Sequence, residues 1–141
     1  MSTVLPDPST EFGARVLRRL TEEKIAWITS VDRNGTPQPA PVWFLWEDDR
    51  LIVYTPPTAK RVERLKANPR TSVNLADEGG QNVVVLTGTL AVDETVPGVP
   101  DNPAYLAKYG KWIDDRFEGA VKFGATYSVA VVFTPEKVRG F

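Results

Sequence analysis

Residues 35–46 read Gly35-Thr36-Pro37-Gln38-Pro39-Ala40-Pro41-Val42-Trp43-Phe44-Leu45-Trp46, two signals in one stretch. Prolines at 37, 39 and 41 have no N–H to give to a ladder, so the first half belongs at a sheet edge or a bulge. Beyond them Val42, Phe44 and Trp46 alternate against Trp43 and Leu45, the period of a strand with two distinct faces. Upstream, residues 25–31 are β-prone and Asp32-Arg33-Asn34-Gly35 is turn chemistry, which predicts a β-hairpin with the quoted stretch as its second arm. Downstream, Glu47-Asp48-Asp49 makes a turn, residues 51–55 a further strand, and Pro56-Pro57 a stiff step out of it.

Working outward, residues 58–68 read as a helix with Thr58 as N-cap, an apolar seam of Val62 and Leu65, and a stop at Asn68-Pro69. Residues 71–76 and 82–92 form a second hairpin around Asp77-Glu78-Gly79-Gly80, with Gly88 marking a bulge or a close backbone approach. Asp93 to Pro100 is a loop. A short helix is expected from Asn102-Pro103 to about Tyr109, interrupted by Gly110, and Phe117 and Val121 stand four apart in residues 114–122. Residues 125–133 are a final β-branched strand ending before Pro135. Toward the N-terminus, Phe12, Val16 and Leu20 recur at helical spacing in residues 11–24, with Asp7, Ser9 or Thr10 as caps. No repeat or composition break divides the chain. The expectation is one α+β domain over residues 1–141, a six-stranded, mostly antiparallel barrel with peripheral helices.

Composition narrows the chemistry. The 141 residues contain neither cysteine nor histidine, which removes disulfides, thiolate zinc sites, thiol nucleophiles and the imidazole base. At 42% hydrophobic and 25% charged, the balance is that of a soluble globular protein, and a net charge of −1 argues against nucleic acid as a partner. Residues 1–9 lack the basic and apolar regions of a signal peptide, and no apolar run approaches a membrane span, so the expected setting is cytoplasmic, without a membrane partner.

The stretch Tyr54-Thr55-Pro56-Pro57-Thr58-Ala59-Lys60-Arg61 ends a strand, turns rigidly and opens a helix with a hydroxyl and two cations. Unpaired N–H groups and the positive dipole end of a helix make such a place a candidate phosphate or carboxylate site. Lys60, Arg61, Arg64, Lys66 and Arg70 face a single acid, Glu63, giving a local balance of +4 in a chain near neutrality. The competing reading is a solvated helix face. Trp43, Phe44 and Trp46, with Tyr54 nearby, either wall a flat ring or pack a core. Asp48, Asp49, Asp77 and Glu78 read as solvated turn residues, and no glycine-rich nucleotide fingerprint is present.

The quoted proline-aromatic run, followed by Leu51-Ile52-Val53-Tyr54-Thr55 and then by Thr58, Lys60, Arg61, Leu65 and Asn68-Pro69-Arg70 in order, resembles the pyridoxamine 5'-phosphate oxidase-like split β-barrel superfamily. Within it the chain is similar to the small actinobacterial flavin/deazaflavin oxidoreductases, over residues 22–141. The resemblance implies a homodimer with cofactor sites between subunits, holding FMN in some members and coenzyme F420 in others. It also implies that Val42, Trp43 and Phe44 line the ring, Tyr54 and Thr55 lie beside the cofactor tail, and Thr58 with Lys60 contacts the phosphate, helped by Arg61. Trp112 and Arg116 are implied to reach the other subunit's cofactor. Pyridoxamine phosphate oxidases grip their substrate with a histidine and an arginine near the C-terminus; this chain has Arg139 but no histidine. The resemblance therefore points to an F420-dependent oxidoreductase passing hydride to an electron-poor small molecule, with no catalytic side chain identified. An FMN-dependent enzyme on the same pocket and a noncatalytic flavin- or tetrapyrrole-binding protein are the alternatives.

Overall fold

A computed structural model describes residues 4–77 and 79–141; Glu78 of the expected second turn and residues 1–3 lie outside them. The elements are α1 (Glu11–Glu22), β1 (Ile25–Val31), β2 (Pro37–Trp43), β3 (Leu45–Glu47), β4 (Arg50–Thr55), α2 (Lys60–Ala67), β5 (Arg70–Leu75), β6 (Val84–Val92), a 3-10 turn (Val99–Asp101), α3 (Pro103–Arg116), α4 (Ala120–Thr126) and β7 (Val129–Gly140). All strands join one antiparallel sheet in the order β2-β1-β5-β6-β7-β4-β3.

The two edges of that sheet, β2 and β3, are consecutive in the chain and separated only by Phe44. A single residue spans a few ångströms, so the sheet must curl until its edges meet. The result is a split barrel of seven strands rather than six: the expected single strand 36–46 breaks at Phe44 because its halves serve opposite edges. Trp27 pairs with Pro41 and Thr29 with Pro39 in register, and among the described residues no second strand pairs with β2. The prolines thus stand at an edge, where their missing N–H groups break no ladder.

The break is held by side chains. The Tyr109 hydroxyl of α3 accepts from the Phe44 N–H at 2.8 Å and shares its own proton between the carbonyls of Lys24 (2.7 Å) and Phe44 (2.8 Å). Lys108 Nζ donates to the same Phe44 carbonyl at 2.8 Å and sits 3.9 Å from the centre of the Phe44 ring. The backbone polar groups of Phe44, which no strand pairs, are satisfied in this way.

Alternation along the strands sorts residues into two cores. Val42, Phe44, Leu51, Val53, Val131 and Phe133 point into the barrel, where α1 adds Val16 and Leu20 and α2 adds Leu65. Leu45, Ile52, Tyr54, Ala130 and Val132 point outward and are covered by Tyr105, Tyr109 and Ile113 of α3 and Phe123 of α4. β4, next to the edge strand β3, is buried on both faces for that reason.

Several expectations are corrected. Thr58 does not cap α2; the N-cap is Ala59, with no side-chain hydrogen bond. Gly110 does not interrupt α3, which runs on to Arg116 with Asn102 as its cap, its oxygen accepting from the Tyr105 N–H. Ala125 and Thr126 close α4 instead of opening the last strand, and β7 continues through Pro135 to Gly140. Pro135 is tolerated because the β6–β7 register shifts between Thr87 and Gly88, where a Cβ on Gly88 would lie 2.0 Å from the Thr134 carbonyl oxygen. The bulge expected at Gly88 is present. Asp48 and Asp49, both at positive φ (54° and 58°), make the tight β3–β4 turn that short polar side chains allow.

Candidate functional site

β3 pairs with β4 only from Arg50 to Ile52. Beyond that point Val53, Tyr54 and Thr55 have β7 on one side and no strand on the other, so one edge of β4 opens onto the seam of the barrel. Across the seam stand Pro41, Val42 and Trp43 of β2. Between them lies a cleft of about 290 Å³, lined also by Val53, Pro56, Ala59, Arg61, Tyr105, Phe123 and Tyr127. That is near the lower end of the range for small-molecule sites, about 300–1,000 Å³. The walls differ in chemistry: the β2 edge offers proline, which donates nothing, whereas the β4 edge offers backbone donors and acceptors.

The aromatic wall is built from β2, β4, α3 and α4. Trp43 stacks on Tyr109 (centroids 4.9 Å apart, planes 4° from parallel) and on Phe123 (5.5 Å, 13°), while Phe123 stacks on Tyr127 (4.5 Å, 22°). Tyr54 meets Tyr105 edge-on at 4.8 Å. The Tyr54 hydroxyl is already engaged, donating to the Pro97 carbonyl at 2.5 Å and accepting from Asn102 Nδ2 at 2.9 Å, and burial pushes its pKa up.

Arg61 supplies the charge. Its Nη1 donates to Thr55 Oγ1 at 3.0 Å, and among the described residues it has no carboxylate partner. Burial, with a smaller contribution from neighbouring Arg64, lowers its pKa, although an arginine remains charged. Arg64 is likewise held by a hydroxyl, donating to buried Ser30 Oγ at 2.9 Å. A half-buried guanidinium bonded only to neutral groups is a place for an anion.

Of the sequence-derived candidates, Val42, Trp43, Tyr54, Thr55 and Arg61 line this cleft. Phe44 does not; it is wholly buried inside the barrel. Thr58 and Lys60 are exposed at the start of α2, outside the lining, and Trp112 packs edge-on against Trp43 at 5.4 Å beneath the Arg116 guanidinium. Arg139 lies on β7 opposite Val85, away from the seam. Tyr105, Phe123 and Tyr127 carry no motif in the sequence that would bring them to this cleft: Tyr105 sits in an expected short helix, Phe123 between the expected elements, and Tyr127 in an expected strand. In a second depression, beside Arg15, Arg18 and Arg19 of α1, Arg18 and Arg19 pair with Glu22 and Glu23 and Arg19 also donates to the carbonyls of Ala76 and Asn82, while Arg15 Nε is buried without a hydrogen-bond partner among the described residues.

A curled antiparallel sheet whose edges are consecutive strands, with a cation-bearing cleft in the seam, defines a split β-barrel. Residues 12–141 match the pyridoxamine 5'-phosphate oxidase family, and the chain belongs to it. No curated protein matches the sequence. Solved structures share the fold: the heme storage protein HutZ of Vibrio cholerae (15% identity, TM-score 0.64, covering 93% of this chain and 95% of that one). An F420 reductase matches at 21% identity with a TM-score of 0.62, covering 86% and 94% of the two chains. An FAD-binding protein of Mesorhizobium loti matches at 22% identity with a TM-score of 0.61, covering 89% and 90%. At these identities the likeness is one of fold.

Proposed function

We propose that this protein is an oxidoreductase that binds coenzyme F420 in the seam cleft and passes hydride to an electron-poor small molecule such as a conjugated carbonyl compound. The observation that carries the reading is Arg61, a half-buried cation without a carboxylate partner among the described residues, at the end of an aromatic-walled cleft. The residues present fit a flat ring with a phosphorylated tail: an apolar wall of mutually stacked aromatics beside the ring, an open strand edge for its polar rim, a guanidinium for the phosphate. When bound, the deazaflavin supplies the hydride chemistry. The chain's own work is to orient the ring between β2 and β4, to hold the tail near Arg61 with Lys60 and Thr58 close by, and to keep water from the ring. With no histidine or cysteine, solvent is the simplest source of the proton.

The family membership and the fold shared with an F420 reductase support this reading. A tetrapyrrole role, suggested by the fold shared with a heme storage protein, is disfavoured by the lack of histidine and cysteine as axial ligands. We also propose a homodimer in which the partner covers the cleft. Trp27, 38% exposed, pairs with cleft-lining Pro41 on β1–β2, an apolar strip beside the site. Side-by-side calorimetric titration with F420 and FMN tests the cofactor. F420 binding with oxidation of reduced F420 by quinone or enone acceptors is expected; FMN binding without F420 binding assigns the cleft to FMN instead, and binding of neither overturns the reading.

A further inference from the structure

Three buried tyrosines, Tyr54, Tyr105 and Tyr109, pack in a row behind the cleft, which Tyr54 and Tyr105 line, and their hydroxyls differ. Those of Tyr54 and Tyr109 are both committed to protein partners. Tyr105 is 1% exposed, its ring held against Tyr54 and, at 4.9 Å, Tyr109, yet its hydroxyl has no hydrogen-bond partner among the described residues. The one side-chain nitrogen or oxygen in that set that is both fully occluded and unpartnered is Arg15 Nε. The Tyr105 hydroxyl therefore borders open space, and Tyr105 is one of the residues that line the cleft.

A hydroxyl on a side chain only 1% exposed, with no protein partner among the described residues, is poorly solvated and keeps its donor free for whatever enters the open space it borders, whereas phenylalanine would fill the same ring volume without a polar group. We infer that the Tyr105 hydroxyl is the hydrogen-bond donor through which the cleft holds a carbonyl oxygen of its bound heterocycle. Burial, with Tyr109, Tyr54 and Tyr127 adding to it, pushes the Tyr105 pKa far above the ordinary tyrosine value, so the proton stays in place across the physiological range. The acceptor belongs to a flat ring because the neighbouring walls are Trp43, Phe123 and Tyr127. Tyr127 also lacks a hydroxyl partner among the described residues, but it is only half-buried and water reaches it. The inference rests on the flavin-type reading above; the carbonyl belongs either to the cofactor ring or to the acceptor beside it.

The test compares wild type with Tyr105→Phe. Because the hydroxyl has no protein partner, the variant's thermal midpoint without ligand is expected to equal or exceed that of wild type; a fall shows that the hydroxyl is structural and overturns the inference. Titrations with FMN and F420, and with menadione added to the cofactor-loaded protein, then locate the acceptor. A five- to tenfold loss of cofactor affinity, with the ring-carbonyl infrared stretch shifting up in the variant, places the bond on the cofactor. The same loss confined to menadione places it on the acceptor. Unchanged affinities throughout overturn the inference while leaving the flavin reading standing. Failure of wild type itself to bind FMN and F420 overturns that reading, and the inference with it.

Discussion

Arg61 and Lys60 are neighbours in sequence with different fates: the guanidinium reaches back over β4 to Thr55, while the ammonium stays exposed at the first position of α2. An ionic hydrogen bond inside a cleft is worth more than one in water, so Arg61→Ala is expected to weaken cofactor binding tenfold or more, about 1.5–3 kcal/mol. Lys60→Ala is expected to cost less; calorimetry on both variants gives the order, and an equal loss would place the phosphate over α2 rather than in the seam. Lys108 carries a second consequence of burial. Desolvation, with repulsion from Lys24 and partial compensation by Glu23, lowers its pKa from 10.5 to about 8. Between those values the unfolded chain binds more protons than the folded one, so this residue makes stability rise with pH from about 8 upward, its penalty being fully present below. Thermal midpoints measured from pH 7.5 to 9.5, short of tyrosine ionisation, are expected to rise for wild type and to flatten for Lys108→Met.

Among the elements, α3 shows tertiary packing overriding local propensity. Gly110 carries an entropic cost, but Tyr105, Tyr109 and Ile113 form a buried stripe that continues the helix through it. A Cβ at Gly110 would meet nothing within 4 Å, so Gly110→Ala is expected to stabilise the fold by about 0.5–1 kcal/mol in urea denaturation, and no gain would mean that the backbone there departs from helix when ligand-free. The α2 start is the converse case. A hydroxyl at Thr58 has the chemistry of a cap, but the Pro56-Pro57 step carries the chain one residue too far and Ala59 occupies the position. Residues 125–126 read as strand because β-branched residues follow them, yet Phe123 stacking on Trp43 and Tyr127 holds them in α4.

For the whole molecule, the curl of the sheet positions the seam, and the seam holds the cleft proposed as the site. The proposed dimer belongs to this scale: Trp27→Glu is expected to convert a dimer to monomer in sedimentation velocity and to weaken F420 binding, and a dimer that persists with full affinity would remove this strip from the interface. The run 35–46 determined by itself that a proline-bearing edge passes into an aromatic strand, since both signals are local: a missing N–H and a period of two. Composition likewise excluded imidazole and thiol chemistry, and the clustered cations of residues 60–70 marked where an anion site could lie. Only the tertiary structure decided that the strand breaks at Phe44, that Arg61 lines the cleft while Lys60 does not, and that Tyr105, Phe123 and Tyr127 complete the wall. Those outcomes depend on which sheet edges meet and which helix covers them, contacts made between residues tens of positions apart, and no short-range pattern encodes a contact of that kind.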